Sequence, residues 1–284
     1  MTAPPTQPTD LAAAATRASE PGSPLERHGV LAAVVLMGWL TVVLGIDHDG
    51  SPTTQRVLGG LTWLVLLGAL RLATPLVRVQ ALVVVAFATV VEYTFSPGLE
   101  VYLYRFHNVP AYVPPGHGLV YLAALAIGRT SLVREHTRAF TVAVLVGLGT
   151  YAAYGLLLAD RTDVLGAFWF CCLVGFFRWG PSPGLYVGAA FVVTYLELTG
   201  TALGTWVWQV DDPTGLVPIG NPPSGAAGGY GWFDLAALLS APLLLDRWRR
   251  LTGRLQSSRP DPFGSSSPSA LSGSSESSEP PSAS

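Results

Sequence analysis

Two segments of the chain, VVEYTFSPGLEVYLYRFHNVPAYVPPGHG at 90–118 and TYLELTGTALGTWVWQVDDPTGLVPIGNPPSG at 194–225, show the same order of features. Each has a glutamate late in an apolar run, Glu92 or Glu197, and a glycine six or seven residues later. Two aromatic residues at alternate positions follow, and then the pattern V-P-x-x-x-P-P. Proline removes a backbone donor and disfavours a helical conformation in the residue before it, so both segments are predicted to leave the helix as irregular or re-entrant loops.

The chain around these segments is too apolar for a water-soluble domain. Half of its 284 residues are hydrophobic and only 12% are charged, whereas soluble domains carry about 25% charged residues. A bilayer core about 30 Å thick needs roughly 20 apolar residues per helix. Eight stretches come close to that length, at 29–46, 57–74, 79–96, 115–130, 139–158, 164–180, 184–200 and 226–245. We therefore predict an all-α, polytopic transmembrane helix bundle of about eight spans, with the motif loops after spans 3 and 7.

The arginines predict the orientation of these spans. Alternate loops place thirteen arginines on one side and only Arg56, Arg105 and Arg161 on the other. Short cytoplasmic loops are enriched in basic residues. Both termini are therefore predicted to be cytoplasmic in a multi-pass protein of the plasma membrane, with the motif loops on the non-cytoplasmic face.

The two motif copies predict an internal repeat. Glu92 and Glu197 lie 105 residues apart, and an even number of predicted spans separates them, so the two halves should share one orientation, as parallel repeats do. The predicted halves are four-helix membrane repeats at 28–135 and 136–250. The tails at 1–27 and 251–284 are rich in small residues and proline and are predicted to be disordered.

Four residues are candidates for acid and base chemistry. Glu92 and Glu197 sit late in predicted spans, where membrane-embedded acids are functional candidates; the alternative is that they clamp the loops that follow them. Asp234, in the eighth span, has no equivalent in the fourth and could join a buried acid cluster. His117 begins the fourth span and is absent from the second copy. A histidine can transfer protons near neutral pH, although an interfacial histidine is more often simply solvated or hydrogen-bonded.

The aromatic pairs Tyr102 with Tyr104 and Trp206 with Trp208 fit an interfacial aromatic belt. In a pocket between the halves they could instead stack on an apolar ligand or stabilise a cation through their ring faces. Three nearby polar residues complete the candidate ligand-binding set: Arg105, Asn108 and Asn221. The spacing of histidines and cysteines indicates neither a metal site nor a cofactor, and the chain lacks the basic and aromatic pattern of a nucleic-acid site.

The order of glutamate, glycine, aromatic-x-aromatic, V-P and further prolines resembles the repeated motif of integral membrane carotenoid-modifying proteins, such as bacterioruberin-type carotenoid hydratases and heterodimeric lycopene cyclases. The resemblance covers 92–118 and 197–225. It implies acid-catalysed hydration or cyclisation of an isoprenoid or carotenoid-type lipid, with Glu92 or Glu197 as the proton donor and the aromatic rings facing a carbocation.

The sequence leaves a second class of function open. A small transporter, channel or membrane assembly factor without catalytic activity would use a polar cleft between the repeats. Under either interpretation the expected partners are the lipid bilayer and an isoprenoid or other apolar molecule, and a homo-oligomer is compatible with both.

Overall fold

A computed structural model describes residues 24–257, so most of both predicted tails lies outside the described residues. The structure is mainly α-helical. The helices are α1 (Pro24–Arg27), α2 (Gly29–His48), α3 (Pro52–Arg71), α4 (Pro75–Tyr93), α5 (Val113–Gly128), α6 (Ser131–Glu135), α7 (Thr137–Leu157), α8 (Val164–Trp179), α9 (Pro183–Ala202) and α10 (Ala226–Ser257). Up to Asp246 the described residues form one compact unit, and those from Arg247 on form a second.

The eight predicted apolar stretches all fall on long helices. Five of these, α2, α4, α7, α9 and α10, are long and apolar enough to cross a membrane. The apolar helices α5 and α8 have only 16 residues each, and α3 carries polar residues in its first turns. The five long apolar helices indicate an integral membrane protein.

Several helices begin earlier than their apolar runs because polar caps and prolines start them. In α3, Ser51 and Thr54 form a reciprocal capping box before the apolar run, with Pro52 in the first turn. The Thr74 hydroxyl accepts from the Val77 backbone N–H at the start of α4. Such caps satisfy backbone donors that have no partner within the helix.

Two helices at the centre of the bundle pack closely through small residues. Nearly every residue of α5 is buried, and α9 is the next most buried of the apolar helices. A side chain at Gly188 of α9 would collide with the Ala124 carbonyl of α5, and Gly128 and Gly184 meet in the same way. Glycine and alanine allow this close approach of membrane helices, which hold together by van der Waals packing.

The structure departs from the predicted all-α class in one place. The aromatic-x-aromatic elements form two short strands, β1 (Tyr102–Tyr104) and β2 (Trp206–Trp208), which pair antiparallel. Tyr102 lies opposite Trp208, and Tyr104 lies opposite Trp206. The two motif loops, about a hundred residues apart in the chain, thus form one small sheet.

Candidate functional site

The two strands present their aromatic side chains on one face. Residues at alternate positions of a strand point the same way, so all four rings, those of Tyr102, Tyr104, Trp206 and Trp208, line one cavity. The rings of Tyr102 and Trp208 have centroids 4.5 Å apart. Val207, on the other face, is 46% exposed. We call this four-ring surface the aromatic roof.

Glu92 lies under the aromatic roof in the last turn of α4. Its Oε2 accepts hydrogen bonds from the hydroxyl groups of Tyr102 at 2.9 Å and Tyr104 at 2.8 Å. Burial raises the pKa of both phenols well above their ordinary value, and the nearby carboxyl group of Glu92 raises it further. Both tyrosines therefore keep their protons and act as donors.

The backbone widens immediately after Glu92. Residues Thr94–Gly98 form a π-helical turn that contains Pro97. Proline cannot donate the helical hydrogen bond, and π-helical turns occur frequently at functional sites. This turn ends the helix and leads the chain back towards β1.

Glu197, near the end of α9, is held in the same manner by the second aromatic pair. Its Oε2 accepts from the indole Nε1 of Trp206 at 3.0 Å and of Trp208 at 3.1 Å. Like Glu92, it is buried and lines the cavity. An indole N–H can only donate a hydrogen bond, whereas a phenol can also accept one. The two carboxyl groups therefore have chemically different partners.

His117 brings a third titratable group to Glu92. Its Nδ1 lies 3.0 Å from the Val113 carbonyl oxygen, and because a carbonyl only accepts, Nδ1 must carry a hydrogen. The opposite nitrogen, Nε2, lies 3.3 Å from Glu92 Oε1 without forming an ordinary hydrogen bond. Nε2 is therefore the ring nitrogen that can accept a proton from the Glu92 carboxyl group.

Aromatic rings surround His117 on its other sides. Its ring stacks on Tyr230 with centroids 5.3 Å apart and meets the edge of Phe233 at 5.7 Å. Both rings come from the first turns of α10. The histidine is thereby fixed in orientation, with its Nε2 directed at the carboxyl group.

These groups line one cavity of about 410 Å³. Most of its wall is aliphatic or aromatic, and among the described residues that line it there is no arginine. Two ionised carboxylates and a single histidine would leave net negative charge in this apolar space, which is costly.

Two buried aspartates that were not among the predicted site residues hold the segments around the cavity. Asp47 accepts a hydrogen bond from the Tyr112 hydroxyl at 2.7 Å. Asp163 accepts from the backbone N–H groups of Gly166, Gly220 and Ser224. The position of Asp163 immediately before α8 was a sequence signal for an N-cap, but its contacts with the distant proline loop could not be inferred from local sequence.

Seven of the eleven predicted site residues line the cavity: Glu92, Tyr102, Tyr104, His117, Glu197, Trp206 and Trp208. The remaining four do not line it. Arg105 donates to the backbone carbonyls of Asp47 and Gly50. Asn108 donates to Gln55 Oε1 at 3.0 Å, and Asn221 Oδ1 accepts from the Trp208 backbone N–H at 3.1 Å. All three stabilise the motif loops.

Asp234, the fourth of these, lies in a separate group of buried polar side chains. Its Oδ2 has no hydrogen-bond partner among the described residues, and neither do the hydroxyls of Tyr121 and Tyr186. The carboxyl group is close enough to interact electrostatically with both phenols. Asp234 is thus apart from the Glu92 and Glu197 pair.

The site has no recognisable metal centre or known relative to interpret it by. Within residues 24–257, no group of three or more His, Cys, Asp or Glu side chains could hold a metal ion. No protein-family model matches this chain, and comparisons with the curated proteins and with the solved structures find no match.

Proposed function

We propose that the chain is an eight-span plasma-membrane protein of two parallel repeats with cytoplasmic termini. In this proposal the cavity beneath the aromatic roof binds one end of an isoprenoid or carotenoid-type lipid, protonates a carbon-carbon double bond and completes its hydration or cyclisation. The observation that supports the chemistry is the position of His117 Nε2, 3.3 Å from Glu92 Oε1, within an apolar, aromatic cavity.

The pairing of β1 with β2 supports the repeat. Leu103 and Val207, the middle residues of the two equivalent strands, lie opposite each other. Equivalent residues that pair antiparallel are related by a local twofold axis. Each glutamate also accepts two hydrogen bonds from its own copy's aromatic pair. Such an arrangement is what two copies facing the same side of the membrane would produce.

The first chemical step is transfer of a proton from Glu92 Oε1 to one carbon of the double bond. The π electrons form the new C–H bond, the other alkene carbon becomes a carbocation, and Glu92 becomes a carboxylate. Phenol donors from Tyr102 and Tyr104 stabilise that developing charge through Oε2. His117 Nε2, at Oε1, accepts the proton that is released later in the reaction and returns it to Glu92.

The aromatic roof and Glu197 stabilise the cation. Ring faces of tyrosine and tryptophan attract positive charge, and the Glu197 carboxyl is held by indoles that have no acidic proton to lose. If water attacks, its oxygen forms the C–O bond and its surplus proton returns to Glu92. If a second double bond attacks instead, a ring closes, and loss of a neighbouring proton to Glu92 gives a cyclic isomer.

The test is conversion of lycopene by the purified protein in phosphatidylcholine vesicles, followed by mass spectrometry. General acid catalysis contributes typically about 10²–10⁴-fold to a rate, so Glu92→Gln should lower conversion by that range. Glu197→Gln should also lower it, because the cation loses its counter-charge. Glu100→Gln changes an exposed acid of the same loop and should leave conversion unchanged. Conversion by the double variant of Glu92 and Glu197 would refute the assignment.

A proton-coupled transporter is the second candidate, and the buried group around Asp234 favours it. Three unpartnered polar atoms of Asp234, Tyr121 and Tyr186 lie within the helical bundle. Membrane-embedded groups of this kind mark proton paths in pumps and transporters. Proton uptake into vesicles that Asp234→Asn abolishes and Glu100→Gln retains would support this candidate over the enzyme.

A further inference from the structure

Part of the cavity wall is exposed at the protein surface. Among the described residues that line it, three are exposed: Phe87 (38%), Phe95 (39%) and Trp232 (50%). Phe87 belongs to α4, Phe95 to the π-helical turn that follows it, and Trp232 to α10. Trp232 also contacts Phe176 of α8, so the exposed wall is aromatic and extends from α4 to α10.

Phe87 lies near the middle of α4, one of the helices long and apolar enough to cross a membrane. It follows Pro75, the start of α4, by twelve residues, which is about 18 Å along a helix, in a bilayer core about 30 Å thick. Phe87 and Val91 are four residues apart and lie on the same face of α4. Both line the cavity together with Glu92, so a molecule that enters beside them reaches that carboxyl group.

One aromatic contact joins the two helices beside this opening. The rings of Phe87 and Phe233 meet edge to face with centroids 5.3 Å apart, and Phe233 in turn contacts His117. Rotation of the Phe87 and Phe233 side chains would widen the gap between α4 and α10. The backbone of α10 need not move, because Gly228 packs closely against the Trp169 backbone of α8.

We propose that the ligand enters the cavity sideways from the bilayer, between α4 and α10, and that Phe87 and Phe233 form the gate. This inference rests on the proposed function and narrows its substrate to a lipid dissolved in the membrane. A cavity of about 410 Å³ has the size of pockets that enclose a drug-sized ligand. A long polyene would therefore place one end group beside Glu92 while the rest of its chain stays between the gate residues and in the lipid.

The test is to lock this gate reversibly. Phe87→Cys and Phe233→Cys are introduced together in full-length protein whose native Cys171 and Cys172 are changed to Ala. A short bis-methanethiosulfonate joins the new thiols, and dithiothreitol removes it. Lycopene entry from phosphatidylcholine vesicles is followed by energy transfer from tryptophan. The linked protein should take up lycopene at least an order of magnitude more slowly, and cleavage of the linker should restore the rate.

A matched control links a different pair of helices. Phe140 of α7 and Phe191 of α9 also meet edge to face, with centroids 6.4 Å apart, and neither lines the cavity. Linking cysteines at these positions should not slow uptake. Equal uptake by the gate-linked and cleaved protein would overturn the lateral entrance. If lycopene uptake depended on the gate but no product formed, the lateral entrance would be supported and the proposed reaction would be wrong.

Discussion

His117 is the residue that most sharply separates a proton-transfer site from a structural clamp. A clamp needs only the hydrogen bonds from the aromatic residues to the two carboxyls, and the second copy has these without a histidine. The approach of His117 Nε2 to Glu92 Oε1, at 3.3 Å in the first copy, has no equivalent in the second copy. The imidazole therefore adds a group that can transfer protons to only one of two nearly symmetric motif copies.

A change of His117→Phe tests this capacity. Phenylalanine retains a ring to stack on Tyr230 but removes both nitrogens, so it loses the bond to the Val113 carbonyl, worth about 1 kcal/mol. We expect the protein to remain folded and lycopene conversion to fall by about 10²-fold or more, because the base that returns the released proton to Glu92 is lost. Thermal unfolding and product formation are measured on the same preparation.

His136 provides a matched control. Its Nδ1 also lies near the carbonyl four residues earlier, that of Leu132 at 3.2 Å, but the side chain is exposed and away from the cavity. His136→Phe should leave conversion unchanged. If His117→Phe and His136→Phe proved equally active, the histidine would be a packing residue only.

At the scale of helices, the close contact of α5 with α9 makes a prediction about stability. A valine at Gly188 would place carbon atoms where the Ala124 backbone lies, and overpacking of this kind costs about 1–3 kcal/mol or more. We expect Gly188→Val to lower the thermal unfolding temperature in detergent. At Gly147 the added carbon meets no atom of the described residues within 4 Å apart from its own helix backbone, so Gly147→Ala should leave the temperature unchanged or raise it.

The helices were predictable from sequence because a long apolar run is by itself the signal of a helix in an apolar environment. Their polar first turns were not, as at Ser51 and Thr74, because a cap contributes hydrogen bonds rather than hydropathy. The alternating aromatics and prolines predicted that the motif loops leave the helix. That β1 would pair with β2 was not predictable, since strand pairing depends on the placement of distant segments.

The candidate site was also only partly predictable from the sequence. Glu92 and Glu197 were recognisable as candidates because a carboxyl group in an apolar helix needs a partner. Tyr230 and Phe233 were missed because an aromatic residue in an apolar helix carries no separate signal, and their contact with His117 exists only in the folded bundle.

At the scale of the whole molecule, the two shorter helices α5 and α8 and the polar start of α3 bear on the number of crossings. If α2 to α5 and α7 to α10 all cross the membrane, Leu158 and Leu216 lie on one side, and Leu132 and Trp179 on the other. If only the five long apolar helices cross, Leu216 shares a side with Leu132, and Leu158 lies opposite. All four side chains are more than half exposed and suit chemical labelling.

Single cysteines at these four positions, in a chain whose native cysteines are changed to Ala, distinguish the two arrangements. For eight crossings we expect a membrane-impermeant maleimide to label Leu158→Cys and Leu216→Cys in intact cells. Leu132→Cys and Trp179→Cys should react only after permeabilisation, since the loops rich in arginine remain cytoplasmic. Labelling of Leu132→Cys and Leu216→Cys from the same side would reduce the number of spans. β1 and β2 would still lie on one side, but Asp163 and its partner Gly220 would then lie on opposite sides, so this outcome would contradict the described contacts as well as the repeat.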